Sequence, residues 1–276
     1  MARKKACGLF VTGTDTGVGK TYVAALIARA LVASGRRVGV YKPVASGCRC
    51  EGGKLVSDDA VALWEAAGRP GTLEQVCPQR FLAPLAPHLA AGQEGRALDQ
   101  ELLRRGIDFW RENSEIVLVE GAGGLMSPLG GHQYVADLAY DLGYPLVIVS
   151  RNALGTINHT LQTLITAAAY PGPEPWRRPE WVRAIRDTPS RPEAGQSAGC
   201  QSSFFQSHGL PVAGIVLNEP SPPGDDASLA TNRRELAACC GAPILGEVGW
   251  KGEKVEGEVD WYGLGSNAPP LLRGLK

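Results

Sequence analysis

The stretch Gly13-Thr14-Asp15-Thr16-Gly17-Val18-Gly19-Lys20-Thr21 lies between a short apolar run, Leu9 to Thr12, and an alanine-rich helical pattern from Thr21 to Ser34. Strand, glycine loop and helix in that order are the setting in which a chain wraps phosphate oxygens. Glycines let the backbone turn its N–H groups inward, and the helix N-terminus adds its positive dipole end. Lys20 is placed to reach the β- and γ-phosphates, and the Thr21 hydroxyl to ligate magnesium. The spacing departs from G-x-x-x-x-G-K-[ST] by one residue, because Thr14 stands where the first glycine belongs and Gly13 lies one position earlier.

Outward from this loop the chain alternates apolar runs with helical patterns. The runs are Leu9 to Thr12, Arg37 to Tyr41, Ile116 to Val119, Leu146 to Ser150, Val212 to Leu217 and Ile244 to Val248; the clearest helices are Thr21 to Ser34 and Thr156 to Ala169. Runs that are apolar on both faces belong to buried parallel strands. The expectation is an α/β protein, a three-layer P-loop NTPase fold with a mostly parallel sheet and helices on both faces. The 276 residues, 44% hydrophobic and 20% charged, suit one such domain over 1–276. From about 171 to 207 prolines crowd among Arg, Glu, Gly and Ser, which reads as a mobile insertion; its Trp176 and Trp181 suggest that it docks somewhere.

Basic and acidic side chains balance at 28 each, so no global attraction to nucleic acid or anionic lipid is expected. No apolar run approaches the ~20 residues that span a bilayer, and the N-terminal residues lack a signal-peptide core, so the chain reads as cytoplasmic. The seven cysteines show no paired C-x-x-C spacing and read as reduced thiols.

Further candidates stand at the ends of the strands, where open α/β sheets bind ligands. Lys42 closes the second run and is followed by Pro43, Ser46 and Gly47. Ser57-Asp58-Asp59 opens a helical stretch in which Asp58 reads as a cap. Glu120 ends the third run, the place of a Walker-B acid. Thr21, Asp59 and Glu120 would together ligate Mg2+, a hard cation that keeps several waters.

Seven segments then resemble the dethiobiotin synthetase family, in order: Gly13–Thr21, Lys42-Pro-Val-Ala-Ser-Gly47, Asp58-Asp59-Ala60, Ala86-Pro-His88, Val119-Glu-Gly-Ala-Gly-Gly124, Leu154-Gly-Thr-Ile-Asn-His159 and Val216-Leu-Asn218. The resemblance implies ATP-dependent carboxylation of a diamino fatty acid, 7,8-diaminononanoate, with CO2 or bicarbonate as carbon source and a homodimer as the working unit. One amine and CO2 form a carbamate, the carbamate attacks the γ-phosphate, and the second amine closes a cyclic urea and expels phosphate. It implies catalytic roles for Lys20, Lys42 and Thr16, with Ser46 beside the carbamate. ATP would contact Gly17, Val18, Gly19, Lys20, Thr21, Tyr22, Asp59, Glu120, Gly121, Ala122, Gly123, Asn218 and Glu219. The substrate's carboxylate tail would meet Gly155, Thr156 and Asn158, partly across a dimer interface; read from the residues alone, Thr156 also suits a helix cap. Glu219 stands where the family pattern suggests aspartate, and Gly249-Trp250 where a proline and an aromatic often line the base.

Three other readings share the loop. A ParA-like nucleotide switch would carry a second signature lysine at position 15, and here that residue is Asp15. An amidase-type synthetase acting on cobyrinate needs a glutamine-hydrolysing domain for which the chain has no room. A nucleotide-binding scaffold without turnover would keep every motif.

Overall fold

Six runs rich in Val, Ile and Leu form the central sheet; the first five are buried along most of their length and the edge run Ile244–Val248 only in part, so both pleat faces need cover. They are β1 (Cys7–Gly13), β2 (Val38–Tyr41), β3 (Ile116–Gly124), β4 (Leu146–Arg151), β5 (Val212–Asn218) and β6 (Ile244–Val248). The computed structural model describes residues 6–170, 172, 209–222 and 224–266, so most of the proline-rich insertion and its two tryptophans lie outside the described residues.

The strand order is β6-β5-β4-β1-β3-β2 and every pairing is parallel. From β1 the chain crosses to β2 on one side, returns to β3, then passes to β4 on the other side. Right-handed crossovers in opposite directions put helices on opposite faces. Helix α1 (Lys20–Ala33) therefore covers one face, with α2 (Asp58–Ala66) packed beside it. Helices α3 (Val135–Leu142) and α4 (Thr156–Ala169) cover the other face. The C-terminal α5 (Trp261–Ser266) packs on β1 next to α1. Leu9, Phe10, Val23, Ile27, Val119, Ile148 and Ile215 are wholly buried between these layers.

The expected strands and helices are all present, with one informative extension. The apolar run of the third strand ends at Val119, yet β3 continues to Gly124 because Glu120 pairs with Val11 and Gly124 with Gly13 across a bulge. Glu120 is thus inside a strand and 1% exposed. Two small hairpins were not expected. Arg49–Glu51 pairs with Lys54–Val56 through Gly52 and Gly53, whose φ of 55° and 78° suit a two-residue turn. Pro128–Gly130 pairs with Gln133–Tyr134.

Two caps differ from expectation. Ser57, in extended conformation, caps α2 by accepting from the Ala60 N–H, which leaves Asp58 in the first turn paired with Arg49. Gly155, with φ of 94°, precedes α4, so Thr156 sits inside the helix and is buried. Its hydroxyl lies 2.7 Å from that of Ser150, which also meets Thr160 at 2.7 Å.

Candidate active site

The C-terminal edge of the sheet changes direction at β1, and the phosphate loop emerges there. Gly17 and Gly19 adopt φ of 73° and 88°, a region that side chains disfavour. Gly19 is doubly constrained, since a Cβ there would come within 2.1 Å of Asn218 Nδ2. That amide nitrogen donates to the Val18 carbonyl at 2.8 Å, fixing the loop to the end of β5.

Lys20 enters the loop from the first turn of α1 and donates to the Asp15 carbonyl at 2.9 Å. Burial chiefly holds its pKa below the ordinary lysine value, with the Lys42 ammonium adding to the effect and Glu120 and Asp59 opposing it. Thr21 donates to Glu120 Oε1 at 2.8 Å. Lys42, at the end of β2, completes a compact cluster: its ammonium is 2.6 Å from Asp59 Oδ2 and 2.5 Å from Glu120 Oε1. Burial alone would lower the pKa of Lys42, but the two carboxylates outweigh it and raise it. Asp59 responds in the opposite sense; burial works against its ionisation, and Lys42, Thr21 and Lys20 together bring its pKa down.

A cleft of about 890 Å³ opens over this cluster. Of the residues expected from sequence, it gathers Thr16, Gly17, Gly19, Lys20, Thr21, Tyr22, Lys42, Ser46, Asp59, Glu120, Ala122 and Gly123. Val18 and Gly121 lie behind its wall: Val18 is 2% exposed, and a Cβ on Gly121 would strike Val135 and Phe10. Asn218, the last residue of β5, and Glu219 just after it are not among the lining residues; Glu219 accepts from Asn152 at 3.2 Å. Gly155, Thr156 and Asn158 are also not among the lining residues, because β4 lies on the other flank of β1 from β3. The turn at Gly249 and Trp250 follows β6, and Tyr22 reaches it by donating to the Gly252 carbonyl at 2.9 Å.

The donor set can be tested for a divalent cation. Glu120 Oε2 is buried without a hydrogen-bond partner, beside the Thr21 hydroxyl and close to Asp59. Burial pushes the Glu120 pKa up, with Asp59 adding to the effect and Lys42 and Thr21 opposing it. Two carboxylates and a hydroxyl suit a hard cation that retains water, so the residues present fit magnesium. Among the described residues no group of three or more His, Cys, Asp and Glu side chains is placed to hold a metal ion by itself.

Sequence reading missed two features. Arg151, at the end of β4, donates to the Gly17 carbonyl at 3.4 Å. Asn232, 3% exposed, donates to Asn152 Oδ1 at 2.9 Å and so braces the loop that leads to Gly155. Arg151 had a legible signal, a cation at the carboxyl end of a parallel strand; Asn232 had none, because its helix is remote in sequence.

Known proteins match this chain along most of its length. A family model described as an AAA domain matches residues 7–170. The ATP-dependent dethiobiotin synthetase BioD of Rhodopirellula baltica is 36% identical over 250 residues, covering 87% of this chain and 82% of that protein. The BioD of Anaeromyxobacter dehalogenans strain 2CP-C is 38% identical over 244 residues, covering 88% and 90%. That of Bacillus subtilis is 34% identical over 239 residues, covering 87% and 85%.

Proposed function

The chain belongs to the ATP-dependent dethiobiotin synthetase family, and on that premise we propose how its cleft performs the ring closure. The activity is that of an ATP-dependent cyclo-ligase in biotin synthesis. The match does not favour the switch, amidase or scaffold readings.

The observation that carries the assignment is the convergence of Lys20 and Lys42 on one cleft with Thr16 and Ser46. An anionic carbamate must approach an anionic phosphate, and a like-charge pair at 4 Å costs about 4 kcal/mol at an effective dielectric of 20. Two buried ammonium groups offset that repulsion where charge develops. Lys20 would hold the terminal phosphates from the loop side, and Lys42 would face the carbamate oxygens, with Thr16 and Ser46 as hydrogen-bond donors. The carbamate oxygen bonds to the γ-phosphorus as the bond to the ADP oxygen breaks. The second amine then attacks the carbonyl carbon, and phosphate leaves with the ring closed. No protein nucleophile is needed; the chain orients two anions.

Magnesium would be held by Thr21, Asp59 and Glu120, and when bound it neutralises charge on the phosphate oxygens. Asn218 would read the base. Its amide nitrogen is engaged by Val18 and its Oδ1 is left without a partner, so the free atom is an acceptor suited to the exocyclic amine of adenine. The carboxylate tail would bind at Gly155, Thr156 and Asn158 in a homodimer.

The deciding experiment is phosphate release from MgATP and bicarbonate, with and without 7,8-diaminononanoate. Release that requires the diamine and disappears in Lys20→Ala is the expected result. Release indifferent to the diamine would sink the assignment. Sedimentation at working concentration tests the dimer, and a monomer mass would overturn that part.

A further inference from the structure

Two consecutive carbonyls of the phosphate loop are held from one flank. Asn218 holds the Val18 carbonyl at 2.8 Å and Arg151 the Gly17 carbonyl at 3.4 Å. Arg151 and Asn218 are register partners at the ends of β4 and β5. They reach the loop from the β4 side of β1, whereas Lys42 and Glu120 reach it from the β3 side.

The two flanks differ in how their charge is satisfied. Lys42 has two carboxylates within 2.6 Å. Arg151 is exposed, and among the described residues its side chain has only the Gly17 carbonyl as a polar partner and no carboxylate. A carbonyl at 3.4 Å occupies little of a guanidinium's five-donor fork. An arginine so placed, beside a loop that binds polyphosphate, is available to a planar, multidentate anion contact. A nucleotide gripped at Lys20 with its base near Asn218 must also pass Arg151, because β4 lies between β1 and β5.

We propose that Arg151 is a nucleotide-binding residue, its guanidinium contacting the polyphosphate between the loop and the base on the flank opposite Lys42. The path of the nucleotide rests on the functional reading above; the exposed guanidinium beside the loop does not. Arg151 thereby gives the loop a second cation on the side that Lys42 does not reach, and holds Gly17 in place while it does so.

The test is calorimetric binding of MgADP to the full chain as wild type, Arg151→Gln and Arg151→Lys, with thermal melts of the nucleotide-free proteins as a fold check. Loss of a charge-assisted contact predicts about tenfold weaker binding in Arg151→Gln. Under turnover the KM for ATP should rise while that for the diamine stays within twofold. Binding within twofold of wild type in a folded Arg151→Gln protein would overturn the proposal, as would a rise confined to the diamine KM. Should Arg151→Gln fail to fold, Arg151→Lys, which keeps the charge and removes the fork, is measured instead. Weakening of threefold or more then upholds the assignment, and binding within twofold defeats it. A wild-type protein that binds MgADP but forms no ring product would sink the activity reading alone.

Discussion

The ammonium of Lys42 lies 2.5 Å from Oε1 of Glu120, and both groups are almost wholly buried, at 4% and 1% exposure. A lysine assigned to the substrate is therefore paired with a carboxylate assigned to the metal. The pair is stable because each charge compensates the other where water cannot. Positive charge brought to Glu120 and Asp59 would compete with Lys42 for these two carboxylates.

Removing one partner exposes the cost of the other. Lys42→Ala is expected to abolish diamine-dependent phosphate release and to lower stability by about 3–5 kcal/mol, the usual effect of stranding a buried charge. Lys42→Met with Glu120→Gln, which removes both charges at similar volume, should recover most of that stability without activity. Denaturant melts and phosphate release on the two proteins separate the roles; a double variant no more stable than Lys42→Ala would contradict the charge argument.

Gly19→Ala is expected to be far worse than Gly35→Ala. Both positions have φ above 70°, so each substitution carries about 1–2 kcal/mol of left-handed strain. At Gly35 nothing lies within 4 Å of the added Cβ, whereas at Gly19 Asn218 Nδ2 lies at 2.1 Å. Gly35→Ala should keep nucleotide affinity. Gly19→Ala should lose it more than tenfold, because the Val18 carbonyl loses its anchor; equal affinities by calorimetry would refute this.

Asp59 gives a pH signature with a definite sign. Its folded pKa is depressed, chiefly by the Lys42 ammonium acting against burial, with help from Thr21 and Lys20. A depressed carboxyl contributes stability that is present above its unfolded pKa of roughly 3.9 and is lost as pH falls through the lower folded value. The stability gap between wild type and Asp59→Asn should therefore be open at neutral pH and narrow progressively in the acid range below about pH 4. Urea midpoints at a series of pH values measure it, and a gap that widens on acidification would reverse the assignment.

Magnesium dependence should follow Glu120. Glu120→Gln keeps the shape and removes the charge, so the magnesium concentration that half-saturates turnover should rise at least tenfold. Metal titration of the protein with ADP bound gives a readout that does not need activity. Unchanged affinity in Glu120→Gln would move the cation elsewhere.

Local sequence determined the phosphate loop, the strand–helix alternation and most of the cleft. Gly17, Gly19, Lys20 and Thr21 are neighbours in the chain, and their function needs only the backbone geometry that glycine and a helix start provide. Lys42, Asp59 and Glu120 were legible one at a time, because strand ends and helix starts at a parallel sheet edge face ligands. Their pairing was not legible: which carboxylate meets which lysine depends on β3 lying between β1 and β2, a crossover order that no local pattern encodes. The same is true of Ser57 displacing Asp58 as the cap, of Gly155 displacing Thr156, and of Arg151 meeting Gly17 across 134 positions of sequence. Propensity and spacing act over a few residues, whereas burial, charge compensation and hydrogen-bond partners are settled only when distant strands are brought side by side.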